Sequence, residues 1–126
     1  MSKKGSQRDI PKVVVIDFDG TLCRDEFPNE GSPEPNVREA LLKMKELGYV
    51  IKIHSCRTAT YWGSRKERLC HFILIQEFMK RNQLPYDEII MSENMDKLVA
   101  EFYVDDRAIQ YKGNWLDVVK QIERTL

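Results

Sequence analysis

A pair of carboxylates follows the first apolar segment of this 126-residue chain. Asp17 and Asp19 are two positions apart, so in extended backbone both side chains leave the same face and converge on one small volume. This geometry suits a carboxylate nucleophile with an acid/base partner, which would protonate the leaving oxygen of a phosphate ester and then activate water. Gly20 allows the backbone to turn and approach a phosphate closely, and Thr21 offers a hydroxyl group.

Further polar residues follow later apolar segments. Ser55 comes after the second of these segments, Asp105 and Asp106 come after the last, and Lys97 lies just before the last. Ligands of open α/β sheets bind outside the carboxyl ends of the strands, so these side chains are expected to converge. Lys97 would add positive charge, and Ser55 would hydrogen-bond a phosphoryl oxygen. Four carboxylates in one crevice would repel one another without a cation, and oxygen ligands favour Mg²⁺ over zinc.

The elements that would position these residues alternate between strand and helix patterns. Asn36 is predicted to cap the first helix, and Gly48 is predicted to follow its end. Strands are predicted over residues 13–16, 49–54, 88–91 and 102–104, and helices over 37–47, 66–82, 94–100 and from 115 onward. This alternation predicts an α/β, Rossmann-like, three-layer α/β/α fold with right-handed crossovers and a mainly parallel central sheet.

Length and charge narrow the classes of function. A chain of 14.9 kDa predicts one domain, with residues 1–10 as a flexible N-terminus and 11–126 as a single catalytic domain. Twenty Lys and Arg balance twenty Asp and Glu, so general nucleic-acid binding and attraction to anionic membranes are not expected. Three cysteines without a C-x-x-C pair, and no stretch of about 20 apolar residues, predict a cytoplasmic protein.

Taken together, the motifs resemble those of the haloacid dehalogenase (HAD) superfamily of Mg²⁺-dependent phosphohydrolases. The segment Asp17-Phe18-Asp19-Gly20-Thr21-Leu22, after an apolar strand, resembles its first motif. Ile53-His54-Ser55 resembles the second motif, Lys97 the third, and Tyr103-Val104-Asp105-Asp106 the fourth, so the resemblance covers roughly residues 12–125. Parts of the chain also resemble small bacterial and phage hydrolases of this superfamily, which often carry proline where Leu98 follows Lys97.

The resemblance implies a role for each matching residue. Asp17 would be the nucleophile, Asp19 the general acid/base that also offers its backbone carbonyl to the metal, and Lys97 the group that stabilises the phosphoryl oxygens. The implied metal-binding residues are Asp17, Asp19, Asp105 and Asp106. Asp106 would act either on the metal directly, through water, or by holding a neighbour in place.

Substrate binding is expected from residues beside the carboxylates, namely Gly20, Thr21, Ser55 and Arg57. Two interpretations of Arg57 are open, because it could contact the substrate phosphate or form a salt bridge with Asp or Glu. Cys56 has no His/Asn partner of its own, so a thiol nucleophile is not expected.

The protein resembles a capless member of the superfamily. Residues 23–36 between the first strand and its helix are too few for a folded cap domain. An uncovered site accepts a large phosphorylated substrate or is closed by a neighbouring subunit. A surface of Phe72, Leu74, Ile75 and Phe78 favours the second option and hence a homo-oligomer.

The expected activity is Mg²⁺-dependent phosphomonoester hydrolysis through an aspartyl-phosphate. A phosphotransferase would use the same residues but needs an enclosed site that excludes water. A dehalogenase would need neither Asp19 nor a metal cluster. A non-catalytic or regulatory Mg²⁺/phosphate-binding module is the alternative from a different class, and the intact Asp17/Asp19 pair argues against it.

Overall fold

The computed structural model describes residues 10–91 and 96–126. Within them, strands and helices alternate, except that no helix is described between the third and fourth strands. The strands are β1 (Val13–Ile16), β2 (Val50–Ile53), β3 (Glu88–Ile89) and β4 (Phe102–Val104), and the helices are α1 (Val37–Glu46), α2 (Arg65–Arg81) and α3 (Trp115–Glu123). Two 3₁₀ turns, Cys56–Thr58 and Thr60–Trp62, follow β2.

The strands form a parallel sheet in the order β3-β2-β1-β4. The predicted α/β, Rossmann-like fold with a parallel sheet is therefore confirmed. The chain steps from β1 to β2 to β3 in one direction, so right-handed crossovers put α1 and α2 on the same face of the sheet. It then returns to β4 on the other side of β1. This reversal between β1 and β4 is a topological switch point, where open α/β sheets bind their ligands.

The main core lies between the sheet and helices α1 and α2. Its side chains come from alternate positions of β1 and β2 and from the inner faces of both helices, and they include Val14, Ile16, Ile51, Ile53, Leu41, Ile75, Phe78 and Met79. Phe18 is fully buried in this core, and its ring meets that of Phe78 edge-on at 5.1 Å. Phe18 thus anchors the chain between Asp17 and Asp19, because burying such a ring contributes about 1.5–3 kcal/mol.

The sequence predicts a wide apolar surface on α2, with Leu69, Phe72, Ile73 and Met79 on one side and Leu74, Ile75 and Phe78 widening it. The structure buries Ile75, Phe78 and Met79 fully, whereas Leu69 and Ile73 are 44% and 47% exposed. Arg68 is buried as well, with a guanidinium nitrogen 3.3 Å from the carbonyl oxygen of Thr58. The surface of residues 72, 74, 75 and 78 expected to favour a homo-oligomer is therefore largely core, and it supplies no argument for a second subunit.

One end of α1 and one predicted helix differ from expectation. Asn36 precedes α1 in a left-handed conformation, and its side chain does not cap the helix. Gly48 lies just beyond α1 with a φ of 91°, as its predicted position requires. The helix predicted over residues 94–100 is not formed over 96–100, and its remaining residues lie outside the described ranges.

The sheet edge at β4 and the final helix leave much apolar surface open. All three residues of β4 are exposed, and none of the residues of α3 is buried, although α3 has the predicted amphipathic pattern. Asn114 caps α3 by accepting a hydrogen bond from the amide of Leu116 at 2.9 Å. None of the helices in the described ranges is both long enough and apolar enough to cross a membrane.

Candidate active site

Three carboxylates meet at the switch point between β1 and β4. The amide of Asp17 donates to the carbonyl of Val104 at 3.0 Å, which extends the β1–β4 ladder by one residue and brings Asp17 beside Asp105. Asp17, Asp105 and Asp106 each offer an oxygen, and these oxygens all lie within 4.8 Å of one another. Two strands that end in register therefore produce the acidic cluster that the sequence predicts.

Gly20 makes room for this cluster. Its φ is 82°, and a Cβ atom built at this position would lie 2.2 Å from Oδ2 of Asp106. The missing side chain thus lets the carboxylate of Asp106 pack against the turn that follows Asp17 and form a hydrogen bond with the Asp17 side chain. The backbone conformation and the close approach both require glycine here.

The crowding changes the proton affinity of Asp17. The pKa of its carboxyl group is raised to about 7, chiefly by burial. The charges of Asp105 and Asp106, and a hydrogen bond from the protonated Asp17 carboxyl to Asp106, also raise this pKa, whereas the Phe18 amide lowers it. The three carboxylates thus resist being ionised together. A nucleophilic Asp17 at neutral pH needs positive charge beside it.

The donor set fits a magnesium ion. All three side chains offer hard oxygen ligands, and Mg²⁺ is commonly held by one or two carboxylates together with water and a substrate phosphate. A divalent charge would also offset the repulsion that raises the pKa of Asp17. Asp19, the fourth predicted ligand, does not bring its carboxylate to this cluster, which leaves its backbone carbonyl as the predicted ligand atom.

We expect the metal-free protein to lose stability as the pH rises from about 4 to about 7. Asp17 has a folded-state pKa of about 7 and an ordinary value of 3.8, so between these values the folded state binds more protons than the unfolded state. Urea unfolding in EDTA at several pH values measures this slope. Asp17→Asn should flatten the slope, and Asp117→Asn, at a half-buried carboxylate on α3, should keep it. An identical slope in wild type and Asp17→Asn would contradict the assignment.

Asp19 is paired with Arg57. Nε of Arg57 lies 2.8 Å from Oδ2 of Asp19, and Nη2 lies 2.8 Å from Oδ1, which makes a bidentate salt bridge. Arg57 is fully buried, and the Asp19 side chain is 17% exposed. Of the two interpretations that the sequence left open, the structure shows the salt bridge, so the prediction that Arg57 binds substrate is not supported.

The remaining donors of Arg57 hold the loop after β1. Cys23 pairs with Pro33, and Glu26 with Asn29, so residues 23–33 form a small hairpin. Nη1 of Arg57 donates to the carbonyl of Pro28 at 2.9 Å, and Nη2 donates to the carbonyl of Asn29 at 2.8 Å. The hairpin is thus fastened to the residue that holds Asp19.

His71 completes the surroundings of Arg57. Its Nδ1 lies 3.2 Å from Nη1 of Arg57, and its ring stacks on Phe27 with centroids 5.8 Å apart. Burial lowers the pKa of His71, and the charge of Arg57 lowers it further. The imidazole is therefore neutral at physiological pH and can accept a hydrogen bond from Arg57 at Nδ1. These contacts give His71 a structural role beside Arg57.

Ser55 and Cys56 lie at the end of β2. Ser55 is buried, and its hydroxyl oxygen accepts a hydrogen bond from the amide of Arg57 at 3.0 Å, so it caps the turn that carries Arg57. Its predicted hydrogen bond to a phosphoryl oxygen stays a prediction. Burial raises the pKa of the Cys56 thiol, and the nearby Asp17 charge raises it further. A protonated thiol is a poor nucleophile, as the sequence indicated.

A cavity of about 270 Å³ opens above these residues. It is lined by Asp17, Asp19, Asp25, Phe27, Cys56, Arg57 and Arg107. Sequence reasoning gave no role to Asp25, Phe27 or Arg107. The position of Arg107 directly after Asp106 was a usable signal, whereas Asp25 and Phe27 reach the cavity only through the fold of the hairpin. In the described ranges, the Arg107 guanidinium has no hydrogen bond or ion pair.

Two predicted site residues lie elsewhere. The ammonium of Lys97 is 5.0 Å from the ring centroid of Tyr103, and Lys97 lines a separate cavity with residues 98–100. This geometry does not support the predicted role of Lys97 at the phosphoryl group, and that role stays a prediction. Thr21 lines a groove beside α1 with Glu34 and Val37, and its buried hydroxyl oxygen has no hydrogen-bond partner among the described residues.

Comparison with known proteins supports the fold and assigns no family. No family model matches the chain, and no curated protein matches it. A solved conserved protein from Bacteroides thetaiotaomicron is similar with a TM-score of 0.59 and 20% identity, over 92% of this chain and 93% of that one. A crystallised target protein from Vibrio cholerae has a TM-score of 0.54 and 28% identity, over 91% of this chain and 99% of that one. The chain is therefore similar in overall α/β fold to both proteins.

Proposed function

We propose that this protein is a Mg²⁺-dependent phosphomonoesterase of the HAD type that works through an aspartyl-phosphate at Asp17. The observation that carries the proposal is the meeting of Asp17, Asp105 and Asp106 at the switch point, with Asp19 two residues from Asp17 on the same cavity. The order of the sequence motifs supports it independently. Both arguments lead to one carboxylate as nucleophile and another as acid/base.

The metal would be held by Asp17, Asp105 and Asp106, with the Asp19 carbonyl as a further ligand. When bound, Mg²⁺ would neutralise the acidic cluster and polarise the phosphoryl group. Two arginines line the cavity. The guanidinium donors of Arg57 form hydrogen bonds with protein groups, whereas the Arg107 guanidinium forms none with the described residues. Arg107 is therefore the side chain that we assign to the phosphoryl oxygens.

The reaction would take place in two balanced steps. First, a carboxylate oxygen of Asp17 forms a bond to phosphorus, the bond from phosphorus to the ester oxygen breaks, and Asp19 gives a proton to that oxygen. Second, Asp19 takes a proton from a water molecule whose oxygen attacks phosphorus. The bond between Asp17 and phosphorus then breaks, which releases inorganic phosphate, restores the Asp17 carboxylate and leaves Asp19 protonated, as it was before the first step.

The open cavity indicates which part of the substrate is recognised. A volume of about 270 Å³ is below the roughly 300–1,000 Å³ of sites that enclose a small molecule. We propose that the cavity accepts the phosphate while the rest of the substrate lies outside it. A phosphotransferase would need stronger exclusion of water than this geometry offers.

Turnover of p-nitrophenyl phosphate tests this function. We expect phosphate release with Mg²⁺ and none after EDTA treatment, with recovery when Mg²⁺ is restored. A panel of sugar phosphates, nucleotides and 3′-phosphorylated DNA would identify the substrate class. Tight Mg²⁺ binding without turnover on any of these compounds would overturn the proposal and favour a non-catalytic binding module.

A further inference from the structure

The guanidinium of Arg57 is completely occupied by protein groups. An arginine side chain has five N–H donors. In this protein, each donor faces an acceptor within 3.2 Å: two carboxylate oxygens of Asp19, the carbonyls of Pro28 and Asn29, and Nδ1 of His71. With no exposed surface and no spare donor, Arg57 cannot bind substrate as it stands.

The arrangement restricts Asp19 strongly. Two parallel N–H···O bonds fix both the position and the plane of a carboxylate, which a single ammonium contact cannot do. The guanidinium is itself fixed between the rings of Phe18 and Phe27, with its carbon 5.6 Å and 4.8 Å from their centroids. Each oxygen of Asp19 keeps a further lone pair, so the carboxylate can still accept a proton and, once protonated, can deliver it.

Arg57 also links Asp19 to the hairpin of residues 23–33. The carbonyls that it binds lie at the tip of the hairpin, and Asp25 and Phe27 of the same hairpin line the cavity. The acid/base group and the rim of the cavity are therefore held by one side chain. A shift of that side chain would move both of them.

From this geometry we infer that Arg57 is a positioning residue, which holds the Asp19 carboxylate for proton transfer and fastens the hairpin as a fixed rim of the active site. The inference rests on the proposed function. With p-nitrophenyl phosphate as substrate, Asp19 contributes to the rate of the second step more than to that of the first. The reason is that p-nitrophenolate leaves without a proton, whereas water must lose a proton to attack phosphorus. Loss of Arg57 should therefore slow the second step more than the first.

Rapid-quench kinetics with p-nitrophenyl phosphate separates the two steps. For Arg57→Lys, we expect a burst of about one equivalent of p-nitrophenolate, followed by turnover about 10- to 100-fold slower than wild type, with little change in KM. Asp19→Asn should show the same burst, and the double variant should be no slower than Asp19→Asn. Arg68→Lys alters another buried arginine, which does not contact Asp19, and should remain within about threefold of wild type without a burst.

Each outcome separates this inference from the proposed function. Wild-type protein with no turnover in Mg²⁺ contradicts the function itself. Normal turnover in folded Arg57→Lys, or equal slowing of both steps without a burst, contradicts the positioning role alone. If Arg57→Lys does not fold, NMR of the wild-type Arg57 Hε provides the test. Its exchange with solvent should be slow and should accelerate in Asp19→Asn, and unchanged exchange would overturn the inference.

Discussion

Replacing Asp17 by asparagine is expected to lower the kcat of phosphate release at least about 10³-fold. The amide keeps the size of the side chain but provides no carboxylate oxygen to attack phosphorus, and it removes one oxygen from the acidic cluster. The fold should survive, because Asp17 lies at the end of β1 and its backbone bond to Val104 does not involve the side chain.

Steady-state assays with p-nitrophenyl phosphate in Mg²⁺ measure this loss. Asp117→Asn on α3 makes the same chemical change away from the site and should keep activity within about twofold of wild type. Calorimetry should also show weaker Mg²⁺ binding by Asp17→Asn. Full activity in Asp17→Asn would refute the assignment of the nucleophile.

Gly20→Ala is expected to have the second largest effect. A Cβ atom at 2.2 Å from Oδ2 of Asp106 forces that carboxylate away from Asp17, and a φ of 82° strains any residue with a side chain. We expect about a 10²-fold loss of kcat. The free energy of unfolding should fall by about 1–3 kcal/mol.

Gly113→Ala provides a matched control. Gly113 has a similar φ of 91°, but nothing lies within 4 Å of the position that its Cβ would take. The variant should therefore show the cost of backbone strain alone, about 1–2 kcal/mol in urea unfolding, and keep its activity. Equal losses of activity in the two variants would show that the contact between Gly20 and Asp106 does not matter for the site.

The fold and the acidic cluster were predictable because they depend on local patterns. The run Val13–Ile16 predicts a buried parallel strand, and carboxylates directly after two strands must meet where those strands lie side by side. The pairing of β1 with β4 then places Asp17 beside Asp105. This contact follows from the backbone and does not depend on the conformation of a long side chain.

The partner of Arg57 could not be predicted, because it depends on parts of the chain that are distant in sequence. Whether its guanidinium turns to a phosphate or to Asp19 is decided by the carbonyls of Pro28 and Asn29, some 28 residues away, and by His71 on α2. No spacing in the sequence specifies how the hairpin brings those carbonyls together.

The exposure of Leu69 and Ile73 on α2 could not be predicted for a similar reason. Apolar residues occur nearly all around this helix, so their period does not determine which side is buried. Arg68 is buried beside the turn that follows β2, with the carbonyl of Thr58 as its partner, and Leu69 and Ile73 are left at the surface. A polar contact with a neighbouring turn thus accompanies an orientation that hydrophobicity alone left ambiguous.

Trapping the phosphorylated enzyme tests the central claim most directly. Wild type and Asp19→Asn would be quenched with acid during turnover of p-nitrophenyl phosphate in Mg²⁺, reduced with borohydride and mapped by mass spectrometry. Borohydride converts an aspartyl-phosphate to homoserine, and we predict homoserine at position 17 in both proteins, with more of it in Asp19→Asn. Phosphate release without modification at position 17, or with modification at another residue, would contradict the mechanism.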